Sequence, residues 1–243
     1  MIISDVRRQA FCHIPKNGGS ALRRYLLERW DDATEYQGRR PVDVESGRIY
    51  DLTHLTPVEL CRFFDVDLAK KGFDVIAVIR EPQSRFRSAL AQYLKSFLQQ
   101  RRDYFDDAEL RDIFSTLKVK SLCEEAFVDH SKVYFRPQAA YLEKIEPERR
   151  DLVLLGDINQ RFDGLKQENV GGALPRWLRP VDTPIVRKFV KAMPTGLSQS
   201  IRRSMVRQDN SAKQRIEAFA RANIAFLEDF YSEDAEIHQS IQQ

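Results

Sequence analysis

The sequence is poor in cysteine, glycine and proline. Its 243 residues include three cysteines, ten glycines and ten prolines, which excludes a collagen-like or proline-rich chain. The cysteines are Cys12, Cys61 and Cys123, far apart and without CxxC or Cys/His spacing. This pattern argues against a disulfide framework or a zinc site, and it favours a reducing compartment.

Long hydrophobic runs and an excess of one charge are also missing. No stretch approaches the ~20 apolar residues of a membrane-spanning helix, and the first residues lack the apolar core of a signal peptide. These absences predict a protein that works in the cytoplasm. The length of the chain predicts a single domain over residues 1–243. The net charge is +3, from 39 Lys+Arg and 36 Asp+Glu. That balance does not indicate nucleic acid as the partner.

Short apolar runs alternate with segments of helical periodicity. The runs at 9–14, 48–53, 74–80 and 151–157 predict strands, and the last helix is predicted over 211–240. Such alternation is typical of an α/β fold with a central parallel sheet, helices on both faces and, here, a helical C-terminal region. In these sheets ligands bind where the strands end. The residues after each strand are therefore the candidates for a site.

The first strand is followed by a turn that could bind an anion. Gly18 and Gly19 let the backbone approach a ligand, the first amides of the next helix point outward, and Lys16 adds a positive charge. A plain tight turn with a surface lysine is the alternative. The motif is not a Walker A loop, because Lys16 precedes the glycines, and no GxGxxG loop occurs.

A second candidate anion site follows the strand at 74–80. Arg80 ends this strand, and an arginine there can fork onto a phosphate. Pro82 fits the first position of the next helix, on which Arg85 and Ser88 can share one face. The alternative is a surface arginine and an ordinary helix serine.

Both segments resemble motifs of one family. Residues 11–20, FCHIPKNGGS, resemble the 5′-phosphosulfate loop F-x-H-I-P-K-T-G-G-T of the carbohydrate sulfotransferases, the Golgi-type and heparan 2-O-like family. Residues 80–88, REPQSRFRS, are similar to that family's 3′-phosphate motif R-D-P-x-x-R-x-x-S. The resemblance implies a P-loop-like three-layer fold and the donor 3′-phosphoadenosine 5′-phosphosulfate (PAPS). The product would be adenosine 3′,5′-bisphosphate, and no metal would be required.

The resemblance also implies which residues bind the donor. The residues expected around the 5′-phosphosulfate are Lys16, Asn17, Gly18, Gly19, Ser20 and Ala21. Those expected around the 3′-phosphate are Arg80, Arg85 and Ser88. Arg136 and Gln138 belong to a string similar to the family's R-P-Q segment near the acceptor, and we expect them to bind substrate.

Sulfuryl transfer to a hydroxyl needs a base and positive charge on the leaving oxygen. Lys16 is the candidate for the charge, and His54, after the second strand, is the candidate base, as the resemblance also implies. The alternative for His54 is a loop histidine that caps the next helix. Asp51 and Glu45 are reserve candidates for the base, and His13 is expected to orient the turn.

A basic segment lies over residues 176–207, with eight Lys and Arg residues and one acidic residue, Asp182. It could contact an anionic membrane peripherally, flank a cleft for an anionic glycan, or form a solvated helical face. The first reading would place the enzyme on the inner membrane face, near a carbohydrate or glycolipid acceptor. The rival functions are a P-loop nucleotide kinase or NTPase, a non-catalytic nucleotide-binding module of the same fold, and a nucleic-acid binder.

Overall fold

The structure is a computed structural model that describes residues 1–43, 48–98, 107–163, 165 and 212–243. Glu45 and the basic segment 176–207 lie outside the described residues. Among the described helices, none combines the length and the apolar character needed to cross a membrane.

Five strands form a mixed sheet in the order β3-β1-β2-β6-β7. They are β1 (Ile2–Ser4), β2 (Gln9–Cys12), β3 (Thr34–Glu35), β6 (Asp74–Ile79) and β7 (Arg150–Leu154). The centre is parallel, with Phe11 of β2 opposite Ile76 of β6 and Val78 opposite Val153 of β7. The strands β4 (Arg39–Asp43) and β5 (Arg48–Asp51) form a separate antiparallel pair.

The expectation of a wholly parallel central sheet is wrong on one side. Strand β1 runs antiparallel to both β2 and β3. Only residues 5–8 join β1 to β2, with Arg8 at a φ of 55°. A parallel pair would need a crossover of a dozen or more residues, so this short turn dictates an antiparallel hairpin. The strand predicted at 48–53 exists as β5, but it pairs with β4 and does not join the central sheet.

The helices begin close to their sequence signals. They are α1 (Gly19–Leu27), α2 (Pro57–Phe64), α3 (Pro82–Tyr93), α4 (Asp107–Thr116), α5 (Val119–Glu124), α6 (Ile158–Arg161), α7 (212–222), α8 (Ile224–Phe230) and α9 (Ser232–Gln242). Helix α2 starts with a full capping box between Thr56 and Glu59 and with Pro57 at its first position. The single final helix predicted over 211–240 is interrupted at Asn223 and Tyr231.

The alternation of β6 places apolar side chains on both faces of the sheet. Val75, Ala77 and Ile79 pack with Leu60 of α2, whereas Ile76 and Val78 pack with side chains of α1 and α6. A third cluster joins α3 and α5 to α7 and α8. The buried sheet therefore fixes the ends of β2 and β6, after which the two anion motifs begin.

Candidate functional site

The turn after β2 has a backbone suited to anion binding. Lys16 has a φ of 68° and Gly18 a φ of 77°, both in the left-handed region. This conformation is strained for a lysine, and such strain is typical of functional sites. Helix α1 begins at Gly19 with no side-chain cap and no acidic residue in its first turn. Its first amides and the helix dipole therefore favour a negative charge at this end.

Gly19 is required here because the His13 ring lies against it. A Cβ on Gly19 would lie 2.3 Å from His13 Cδ2 and 2.7 Å from Nε2. The ring is buried and stacks on Phe11 and against His54, with ring centroids 5.8 and 4.7 Å apart. His13 thus orients the turn, in agreement with its predicted structural role. Burial and the neighbouring His54 hold its pKa well below the usual value.

The ammonium of Lys16 is half-buried and has a neutral partner. Its Nζ donates to Gln92 Oε1 at 3.3 Å, and Gln92 Nε2 donates in turn to Ser96 Oγ at 2.5 Å. Burial, followed by the charges of Arg80 and Lys95, lowers the pKa of Lys16 to about 8. The lysine is therefore still largely protonated at neutral pH.

Arg80 joins the two predicted anion motifs. Its Nη1 donates to the carbonyl oxygen of Lys16 at 3.0 Å, while Nε and Nη2 donate to Ser84 Oγ at 3.0 and 2.7 Å. Burial lowers the pKa of the guanidinium. The hydrogen bond between Arg80 and Lys16 joins residues 64 positions apart in the sequence, so the two segments meet in one place.

The carboxamide of Gln138 holds the same two segments together. Its Oε1 accepts from Asn17 Nδ2 at 2.6 Å and from the Arg80 amide at 2.9 Å, and its Nε2 donates to the Arg80 carbonyl at 2.9 Å. Asn17 Nδ2 also donates to the Val78 carbonyl at 2.5 Å. Gln138 is fully buried and Asn17 nearly so. In this position they are positioning residues that hold the turn against the start of the Arg80 segment.

The described part of the site carries two positive charges, Lys16 and Arg80. Burial lowers the pKa of the Arg80 guanidinium, and the Glu81 carboxylate acts in the opposite direction by raising that pKa. Within the described part of the chain, no carboxylate forms an ion pair with Lys16 or Arg80. The nearest candidate in sequence, Glu81, caps α3 instead, accepting from the amides of Gln83 and Ser84. Two desolvated cations beside a helix N-terminus are chemically matched to a polyanion.

His54 lies beside the turn, although β5 is outside the central sheet. Its Nδ1 donates to the His13 carbonyl at 2.9 Å, which leaves the lone pair on Nε2. Burial lowers the pKa of His54 to about 4, and the charge of Lys16 contributes in the same direction. The Tyr134 ring stands edge-on to the imidazole, with centroids 6.1 Å apart. His54 is therefore a neutral imidazole within the electrostatic reach of Lys16.

Two arginines of the predicted site are buried within the protein. Arg85 is fully buried; it donates to the carbonyls of Tyr134 and Arg136, and its Nη1 lies 3.8 Å from an Asp234 carboxylate oxygen. Arg136 forms an ion pair with Glu59 at 2.9 Å. The charge of Arg136 is already neutralised inside the fold, and substrate binding by Arg136 stays a prediction. Substrate binding by Gln138 also stays a prediction, because its side-chain amide already binds Asn17 and Arg80.

The remaining predicted residues lie around this cluster. Ser20 is exposed at the start of α1, Ala21 and Ser88 are half-buried, and the Asp51 carboxylate accepts from the Thr53 amide at 3.0 Å. The sequence reasoning missed Ser84, because Arg80 precedes α3 and a spacing of four signals a contact only within a helix. It also missed Gln92 and Asp234, which reach the site only through the tertiary fold.

One cleft lies away from the predicted site residues. It has a volume of about 270 Å³, and its charged lining residues are Glu143, Arg150 and Glu233. Two carboxylates against one guanidinium do not favour an anion, so the donor groups around Lys16 locate the site better than this cavity does. In the described residues no group of three His, Cys, Asp or Glu side chains could hold a metal; that the reaction proceeds without one stays a prediction.

Comparisons with protein-family models, with curated proteins and with solved structures gave no match for this chain.

Proposed function

We propose that this chain is a PAPS-dependent sulfotransferase that moves a sulfuryl group to a hydroxyl of a carbohydrate or glycolipid acceptor. The observation that carries the proposal is the hydrogen bond from Arg80 to the Lys16 carbonyl at 3.0 Å, which brings two cationic segments into one site. A nucleotide with charge at both its 3′ and 5′ positions needs such a pair. The P-loop-like three-layer arrangement belongs to the same proposal.

The donor set fits the proposed nucleotide. Lys16 and the uncapped N-terminus of α1 would hold the 5′ end, and Arg80 with Ser88 would hold the 3′-phosphate. When bound, PAPS supplies the sulfuryl group, and its 5′-phosphate oxygen is the leaving group. The acceptor oxygen forms its bond to sulfur as that sulfur–oxygen bond breaks, in line.

Lys16 stabilises the negative charge that grows on the leaving oxygen. Its ammonium is largely protonated at neutral pH, since its pKa is about 8. In the half-buried site its charge is screened less than it would be in water. The nearby negative charge of a bound donor raises the pKa of the lysine further. A donor of this kind contributes about 10²–10³-fold to turnover in comparable oxyanion sites.

His54 accepts the proton of the acceptor hydroxyl at Nε2. The hydrogen bond from Nδ1 to the His13 carbonyl fixes this tautomer. With a pKa of about 4 the imidazole is unprotonated at neutral pH, and a bound anion nearby raises that pKa toward the range of an effective base. The tilted His13 ring packs against the imidazole, with centroids 4.7 Å apart, and holds it in place.

A transfer assay tests the proposal. The full chain is incubated with PAPS labelled with radioactive sulfur and a panel of carbohydrates and glycolipids, beside a parallel reaction with ATP labelled at the γ-phosphate. We expect a sulfur-labelled product that His54→Ala reduces strongly. Label transferred from ATP, with none from PAPS, would instead identify a nucleotide kinase. Tight binding of PAPS with no transfer to any acceptor or to water would indicate a binding module.

A further inference from the structure

A serine that the resemblance does not assign stands against Arg80. In the family motif the hydroxyl belongs to the position of Ser88, two helical turns after the arginine. In this structure Ser84, one turn after it, is hydrogen-bonded to Arg80. Ser88 is half-buried on the same helix.

The hydrogen bonds of Ser84 leave one group to be satisfied. A hydroxyl has one O–H donor and two acceptor lone pairs. Both lone pairs of Ser84 Oγ accept N–H groups of Arg80, from Nε at 3.0 Å and from Nη2 at 2.7 Å. The backbone amide of Ser84 is used by Glu81. In the described residues nothing accepts the O–H of Ser84, so this proton is available to an acceptor from outside.

The guanidinium of Arg80, next to Ser84, also has N–H groups that no described residue accepts. Of its five N–H groups, three are used, two by Ser84 and one by the Lys16 carbonyl, and two remain. No described carboxylate pairs with Arg80, whose charge is half-buried and partly desolvated. Arg80 and Ser84 therefore present N–H and O–H donors side by side, while the adjacent Glu81 carboxylate is bound to the amides of Gln83 and Ser84. This donor set selects an oxyanion.

We propose that the Ser84 hydroxyl donates to the 3′-phosphate of the nucleotide, beside Arg80, and makes the site selective for a 3′-phosphorylated nucleotide. The inference rests on the proposed function, because it takes the nucleotide from there. Ser84 orients Arg80 through its lone pairs and binds the phosphate through its proton. The nucleotide without the 3′-phosphate lacks the acceptor for both donors.

Calorimetric titration tests this with two ligands, adenosine 3′,5′-bisphosphate and adenosine 5′-monophosphate. Ser84→Ala is expected to weaken binding of the bisphosphate about 10-fold or more, as for a hydrogen bond to a charged group, and to leave binding of the monophosphate unchanged. Ser84→Thr, which keeps the hydroxyl, is expected to restore affinity. Ser115→Ala is the matched control, because the Ser115 hydroxyl donates to the Asp112 carbonyl of its own helix.

A second arm separates direct binding from positioning of Arg80. In an Arg80→Ala background, Ser84→Ala is expected still to weaken bisphosphate binding by about 2-fold or more. Loss of the Ser84 effect in that background would show that the serine acts only through Arg80 and would overturn the inference, as would an equal loss for both nucleotides. If the unmodified protein does not distinguish the two nucleotides, the proposed function itself fails; if it does and Ser84→Ala changes nothing, only this inference fails.

Discussion

The contact between Gly19 and His13 gives a sharp test of how the anion-binding turn is built. Alanine at position 19 would place a Cβ 2.3 Å from His13 Cδ2, so the ring would have to move by about 1 Å to reach an ordinary contact. The ring cannot move freely, because it is buried against Phe11 and His54. Overpacking of this kind costs about 1–3 kcal/mol. We expect Gly19→Ala to lower the free energy of unfolding by about 2 kcal/mol.

The matched control is Gly156→Ala. A Cβ at Gly156 meets nothing within 4 Å, so its effect should stay within about 0.5 kcal/mol. Urea denaturation measures both variants, with the midpoint expected to fall for Gly19→Ala and the slope to remain unchanged.

A double-mutant cycle assigns the cost to the ring. His13→Ala removes the clashing atoms, so Gly19→Ala in that background should cost less than about 0.5 kcal/mol. An equal cost with and without His13 would refute the packing argument, as would a Gly19→Ala variant no less stable than Gly156→Ala. If Gly19→Ala lost nucleotide binding while its free energy of unfolding stayed unchanged, the loss would not come from a clash with the His13 ring.

Three further predictions concern the chemistry of the site. Lys16→Ala should lower kcat by about 10²–10³-fold in a PAPS transfer assay, since it removes charge from the leaving oxygen; a change in KM alone would contradict this role. His54→Ala should lower kcat while calorimetry shows unchanged affinity for adenosine 3′,5′-bisphosphate, and equal losses would mean that His54 is not the base. The value of kcat/KM should fall above pH about 8, where Lys16 loses its proton, and toward pH about 4, where His54 gains one. If the fall above pH about 8 stayed at the same pH in Lys16→Arg, the high-pH titration would not belong to Lys16.

Much of the sheet can be predicted from local sequence, and some of it cannot. Strands β2 and β6 follow from short apolar runs, because burial on both faces demands them, and the apolar run of β7 predicts that strand although it is half-buried at the edge of the sheet. The antiparallel edge was not predicted, since β1 and β3 have only three and two residues and give no periodic signal. The composition of β5 indicates a strand, but which sheet that strand joins depends on its pairing with β4 in the folded chain.

Some residues of the candidate site can likewise be predicted from local sequence, and others cannot. The residue types of the turn and of Arg80 point to an anion from sequence alone, because spacing along one segment places them. The role of Gln138 cannot be predicted from spacing along one segment, because its amide contacts Asn17 and Arg80 across 121 and 58 residues of sequence. Arg136 has the same charge as Arg80, yet Glu59 pairs with it in the interior. Whether an arginine faces a ligand or the core depends on tertiary packing, which local patterns do not contain.

The central claim is that one nucleotide, charged at both ends, fits across Lys16 and Arg80. Calorimetric titration of the full chain with adenosine 3′,5′-bisphosphate and with ATP measures this directly. We predict that the bisphosphate binds more tightly and that Arg80→Ala removes most of its advantage. Tighter binding of ATP, or a preference that survives Arg80→Ala unchanged, would contradict the account.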